Sequence, residues 1–142
     1  DATAGDPAFQ CDWVSGACML VSQPVLDQVG LLDERYFLFW EDADWCKRMA
    51  DHGYEVWTVP SAVVGHSEGG SRRGWPSPVV KSFHRGAYLY WRTHIAPQWW
   101  NPLRWFAAVA LQTRSAMLIA FHRLDIVIRN VHLNWGLSWL KS

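Results

Sequence analysis

Cysteine is scarce and unpatterned in this chain. Three occur in 142 residues, Cys11, Cys18 and Cys46. An odd number with no C-x-x-C and no Cys/His ligand spacing argues against a disulfide scaffold or a zinc module, and for reduced, buried thiols. Charge is thin as well, at 18%, whereas 50% of the residues are hydrophobic. That balance excludes a disordered chain, because there is ample surface to bury against the entropy of ordering. Long apolar runs are missing. The longest candidate, residues 103–121, is broken by Arg104 and by Gln112-Thr113-Arg114-Ser115, so a membrane-spanning helix is not expected. The first ten residues, DATAGDPAFQ, hold neither an initial Met nor an apolar leader, and the chain reads as the later part of a longer protein. No internal repeat is visible.

Carboxylates are nearly absent from the second half. Residues 71–142 carry Asp125 alone against ten Lys/Arg, net +9, while residues 1–70 carry twelve Asp/Glu against three Lys/Arg, net −9. A split this strong implies two surfaces with different partners. Tryptophan is the residue in excess. There are eleven, seven of them in the basic half.

Local patterns predict an α/β half followed by helices. Residues 1–10 read as a loop, and residues 13–21 (WVSGACMLV) as a buried strand. Ser22-Gln23-Pro24 opens a short helix that Gly30 closes, with Val25, Leu26 and Val29 facing the core. Residues 36–40 (YFLFW) look like an aromatic strand running into a helix from Glu41 to His52. Its first turn is acidic, Trp45 and Met49 lie four apart, and Gly53 stops it. Residues 54–59 (YEVWTV) alternate as a strand, and residues 62–64 continue as a shorter one. Residues 67–78 (SEGGSRRGWPSP) read as a mobile loop where the charge changes sign. Ser77 with Pro78 starts a helix with an apolar face of Val79, Val80, Phe83, Ala87, Tyr90 and Trp91. Asn101-Pro102 starts a second, to about Leu124, and a third stretch runs over residues 125–134.

Glu41, Asp42 and Asp44 crowd three carboxylates into four residues at a strand-to-helix turn. Two readings stay open on the residues alone. They can cap the helix and pair along it, Asp44 with Arg48 and Lys47 with Asp51. Alternatively, carboxylates held together at the end of a strand can supply a general base or a metal site.

The blocks WVSGACMLV, VGLLDERYFLFWEDADWCKRM, a strand ending in VP, and HSEGGS occur in that order over residues 10–71. Together they resemble the later half of the family 2 inverting glycosyltransferases of the GT-A fold, rhamnosyltransferase-like members in particular. The resemblance implies a mixed α/β sheet in residues 1–71, the acceptor-side half of that fold, with residues 72–142 as a helical C-terminal extension. It implies that Asp42, in the ED-x-D block, is the general base. Glu41 and Asp44 shape the site, and Trp13, Ser15, Gly16 and Ala17 line its acceptor side. Trp40 offers a ring to a sugar, and Arg48, Gly69 and Ser71 belong to the same donor and acceptor contacts. His66 of the H-x-x-G-x-S segment is implied as a ligand to Mg²⁺ or Mn²⁺. The remaining ligands would come from a D-x-D motif in a nucleotide-binding half that this chain lacks. Asp42-Ala43-Asp44 itself spells D-x-D, but its place before W-C-K-R assigns it to the base. Without the nucleotide-binding half the chain alone is expected to be inactive. The other five histidines carry no such context and read as structural or interfacial.

Amphipathic helices rich in Trp and Arg suit a membrane interface, where rings sit among headgroups and cations meet anionic lipid. The alternative is a helical subdomain with Trp in its core. A nucleic-acid partner is not expected, since no recognition motif accompanies the basic residues. The implied function is transfer of a sugar from a nucleotide-diphospho-sugar to a lipid-linked or polysaccharide acceptor, in cell-envelope polysaccharide synthesis. The place is cytoplasmic, peripheral on the inner face of the plasma membrane. A non-catalytic module docking on a membrane or a partner is the competing reading. A metallohydrolase built on Asp42, Asp44 and His66 is a third, and it lacks a second ligand cluster.

Overall fold

The computed structural model describes residues 3–66 and 77–138, with the side chains of 129–138 left out. In chain order the elements are β1 (Phe9–Cys11), α1 (Gln23–Val29), α2 (Glu41–Asp51), β2 (Val56–Thr58), α3 (Ser77–Tyr90) and α4 (Pro102–Ser138). A single π-helical turn, Trp91–Ile95, extends α3. Among the described residues the sheet is one antiparallel pair, with Phe9 opposite Thr58, Gln10 opposite Trp57 and Cys11 opposite Val56.

The helices begin and end where their sequence signals lie. Pro24 occupies the first turn of α1, and Gly30 closes it with φ 78°, a value that glycine adopts without steric cost. In α2 the acidic residues Glu41, Asp42 and Asp44 fill the first turn, His52 is the C-cap, and Gly53 follows at φ 81°. Val25, Trp45 and Met49 form the core between α1 and α2, with Met19, Val21 and Tyr54 packed against it. Burial of each such side chain is worth roughly 1.5–3 kcal/mol. Two donors lock the α1–α2 connection onto α2. The Trp45 indole donates to the Gly30 carbonyl at 2.9 Å, and Arg48 donates to the carbonyls of Val29 and Leu31 at 2.9 and 2.8 Å.

Three expected strands are corrected. Residues 36–40 turn rather than extend, because Phe39 and Trp40 sit at φ 68° and 73°. Trp40 is the N-cap of α2, its carbonyl accepting the Asp44 N–H at 2.9 Å. Residues 13–21 are irregular. Ser15 Oγ accepts the Ala17 N–H at 3.3 Å in a tight turn, and the strand lies earlier, at β1. Residues 62–64 are not a strand either. The Ala62 N–H bonds back to the Val59 carbonyl at 3.0 Å, and Val63 and Val64 are exposed.

The two helical stretches expected after Asn101 are one helix of 37 residues, α4. Asn101 Oδ1 caps its start, accepting the Leu103 N–H at 3.0 Å. Neither Pro nor Gly falls between Leu103 and Gly136, so nothing interrupts it. Helix α3 buries Val79, Val80 and Ala87 as expected and His84, Gly86 and Leu89 besides, whereas Phe83, Tyr90 and Trp91 of the expected face are half-buried. The cysteines are all free, but only Cys46 is buried; Cys11 is half-buried and Cys18 exposed.

Candidate active site

Asp42 and Asp44 leave the same turn of α2 in different directions. The backbone at Trp40 is left-handed, so the chain doubles back into the helix with its carboxylates on the first turn, where the helix dipole favours them. Asp42 is half-buried. Its Oδ2 accepts the Gly16 N–H at 2.9 Å and its Oδ1 the Ala43 N–H at 2.8 Å. Each carboxylate oxygen has two lone pairs, so two remain for a hydroxyl donor. The Ser15-Gly16-Ala17 loop therefore frames the Asp42 carboxylate while leaving it accessible. Trp13, 52% exposed, belongs to the same loop.

Asp44 points inward. It is 1% exposed and accepts from Tyr36 Oη at 3.2 Å, Arg48 Nε at 2.8 Å and His94 Nε2 at 2.7 Å. Burial, and then the neighbouring Asp44 carboxylate, push the Tyr36 phenol well above its ordinary value. Both helical pairs expected from spacing are formed, Asp44 with Arg48 and Lys47 with Asp51. The capping and pairing reading thus describes Asp44 and Asp51, and it leaves Asp42 open for chemistry.

The remaining site residues divide. Trp40 packs against α3, its ring 5.7 Å from Phe83 and 5.4 Å from Tyr90. The ring expected to receive a sugar is therefore held in a protein contact, and Trp13 is an exposed aromatic three residues before Gly16, whose N–H bonds Asp42. The Trp40 indole N–H and one Glu41 carboxylate oxygen are buried with no hydrogen-bond partner among the described residues. Arg48 is fully engaged in bracing the α1–α2 connection and Asp44. His66 is exposed at the end of a described segment. Gly69 and Ser71 lie outside the described residues, as does most of the expected loop.

Among the described residues, no three His, Cys, Asp or Glu side chains converge to hold a metal ion. The described residues do not by themselves fit a divalent cation. His66 could contribute a single nitrogen, and the other ligands would have to come from elsewhere.

His94 was invisible to sequence reasoning as a contact of the acidic cluster. Its local signal was slight, a His four residues after Tyr90 in a basic helix. The Tyr90 and His94 rings do meet along the chain, 4.8 Å apart and tilted by 50°.

This geometry, an accessible carboxylate at a helix N-terminus beside a small-residue loop, occurs here in a chain with sugar-transferring relatives. The chain is 35% identical over 107 residues to N-acetylglucosaminyl-diphospho-decaprenol L-rhamnosyltransferase of Mycobacterium tuberculosis, covering 75% of this chain and 35% of that enzyme. It is 28% identical over 103 residues to the dTDP-rhamnosyl transferase RfbF of Shigella flexneri, covering 67% of this chain and 35% of RfbF. A shorter likeness, 38% over 37 residues, links it to the low-salt glycan biosynthesis hexosyltransferase Agl10 of Haloferax volcanii, covering 26% of this chain and 12% of Agl10. These relatives are glycosyltransferases, and the chain spans about a third of the length of the two rhamnosyltransferases. No protein-family model matches the sequence. No solved structure matches it either.

Proposed function

We propose that residues 1–142 are the acceptor-side and helical part of an inverting glycosyltransferase of the GT-A fold and family 2. The enzyme would move a sugar from a nucleotide-diphospho-sugar to a lipid-linked or polysaccharide acceptor in cell-envelope polysaccharide synthesis. The observation that carries this is the Asp42 carboxylate, half-exposed and fixed by the Gly16 and Ala43 N–H groups, in a chain similar to rhamnosyltransferases.

The residues support a simple division of labour. An acceptor hydroxyl lies on the open side of the Ser15-Gly16-Ala17 loop, with Trp13 as its aromatic neighbour. Asp42 accepts the hydroxyl proton as the oxygen attacks the anomeric carbon. The new C–O bond forms opposite the breaking bond to the nucleotide diphosphate, which leaves with that bond's electron pair. Inversion follows from attack on the opposite face. Among the described residues, His66 would offer one nitrogen to a Mg²⁺ or Mn²⁺ ion whose other ligands lie outside them.

Residues 77–138 fit a peripheral place on an anionic, cytoplasmic membrane face. No helix among the described residues is long and apolar enough to cross a membrane. Yet Phe106 (72%), Val109 (66%) and Phe121 (63%) on α4 are exposed, beside basic residues. That same surface is what favours the second reading, a non-catalytic docking module.

The test is a transfer assay on the protein carrying residues 1–142, with labelled dTDP-rhamnose and related nucleotide sugars and a lipid-diphosphate acceptor. Label appearing on the lipid with inverted anomeric configuration supports the proposal. Retained configuration, or lipid binding with no transfer from any donor, contradicts it.

A further inference from the structure

The helical half reaches into the acidic cluster through one side chain. The π-helical turn Trp91–Ile95 ends α3, and wide turns of this kind re-aim side chains out of the α-helical register, often at functional sites. Here the turn presents His94 to the first turn of α2, 50 positions away in sequence, with Nε2 2.7 Å from Asp44 Oδ1. The pair is buried, the side chains being 8% and 1% exposed. An ionised carboxylate only accepts hydrogen bonds, so Nε2 carries the proton.

Aromatic packing makes the same connection. Trp40, immediately before α2, meets Phe83 and Tyr90 of α3, and Tyr90 rests on the His94 ring. Gly86 of α3 lies so close that an added Cβ would stand 2.9 Å from Trp40 Cδ1 and 3.0 Å from the Phe39 carbonyl oxygen. The first turn of α2 is thus gripped from the α3 side through Trp40 and Asp44. Asp42, two residues from Asp44, leaves the same turn toward the Gly16 loop.

We propose that His94 is a positioning residue for Asp42. By holding Asp44 it fixes the first turn of α2, and so the direction in which Asp42 offers its free lone pairs. This inference rests on the assignment of Asp42 as the base. It makes the helical half a working part of the site and not only an appended surface.

The experiment compares His94→Ala, His94→Asn and His94→Gln in the protein carrying residues 1–142, measuring kcat, KM for the donor, and melting temperature. Gln places its amide N–H near the position of Nε2, whereas Asn is too short. A displacement of about 1 Å at a catalytic group can cost on the order of 100-fold. Ala and Asn are therefore expected to lose about 10–100-fold in kcat at unchanged donor KM, and Gln to recover most of it. If Ala fails to fold, the comparison of Asn with Gln decides. His84→Gln serves as the control for a purely structural histidine. His84 bonds the Val80 carbonyl and Arg114 on the far side of α3, and its loss should lower the melting temperature alone. A melting-temperature loss in the His94 variants with wild-type kcat would overturn the proposal, and so would a Gln variant as impaired as Asn. Full turnover in Asp42→Asn would instead remove the base assignment beneath it, a distinguishable failure.

Discussion

The backbone N–H of Gly16 and the carboxylate of Asp42 meet at 2.9 Å across 26 positions of sequence, and this bond joins the small-residue loop to the first turn of α2. A Cβ at Gly16 would stand 3.4 Å from Asp42 Cβ and 3.6 Å from Oδ2, which is ordinary contact. Gly16→Ala should therefore fold within about 1 kcal/mol of wild type and keep its turnover. Gly16→Pro deletes the donor, leaves Asp42 held by the Ala43 N–H alone, and should lower kcat by about tenfold or more. Equal kcat for the two variants would show that the bond does not position the carboxylate.

Alkaline pH should destabilise the fold through Tyr36. Its phenol is 6% exposed, donates to Asp44, and is held well above its ordinary value by burial and the Asp44 charge. A raised folded-state pKa gives stability that is complete below the unfolded value of about 10. That stability is lost as pH rises beyond it. Melting temperature should fall above about pH 10. In Tyr36→Phe that dependence should be weaker, at a cost of about 1–3 kcal/mol at neutral pH for the lost bond to a charged group. An unchanged alkaline profile in Tyr36→Phe would contradict the assignment.

Gly86→Ala sets packing against helix propensity. Ala gains about 1 kcal/mol over Gly inside a helix. The new Cβ, however, meets Trp40 Cδ1 at 2.9 Å and the Phe39 carbonyl at 3.0 Å, and the backbone atom cannot swing away. Overpacking of this kind costs about 1–3 kcal/mol. Net destabilisation with altered Trp fluorescence is the expected result in thermal melts, and stabilisation would show that α3 does not press on Trp40.

Membrane association should be partly electrostatic. Between residues 77 and 124 there are six Lys/Arg and no Asp or Glu, beside exposed Leu103, Trp105, Phe106 and Val109. Binding to vesicles containing phosphatidylglycerol should weaken as salt rises. Equal binding to neutral vesicles at every salt concentration, or none to either, would count against it.

The helices were legible because their punctuation is local. Pro24, Gly30, the acidic turn at Glu41 and Gly53 all lie where α1 and α2 begin or end. Of the strands only residues 54–59 were, their alternation giving β2 (Val56–Thr58). Aromatic content at 36–40 suggested extension, but Phe39 and Trp40 are left-handed and pack against Phe83 and Tyr90 of α3, a distant contact that no local pattern records. Similarly, Asp125 suggested a fresh helix start, whereas an unbroken run of helix-compatible residues carries α4 through it. Of the site, the pairing of Asp44 with Arg48 followed from i,i+4 spacing. The meeting of Asp42 with the Gly16 loop followed only from resemblance, and that of Asp44 with His94 from neither.

The central claim is that Asp42 is the base, and one substitution addresses it directly. Asp42→Asn keeps the side chain's shape and one oxygen to accept the Gly16 N–H, gives up the bond from the Ala43 N–H, and removes the capacity to take a proton. Donor affinity, kcat and melting temperature measured side by side should show intact donor binding, a fold weakened by no more than about 0.5–2 kcal/mol for the lost backbone bond, and kcat reduced by about 10²–10⁴-fold. The defect would then belong to turnover and not to substrate binding. Full turnover at a lowered melting temperature would contradict the account and leave Asp42 a helix-capping residue.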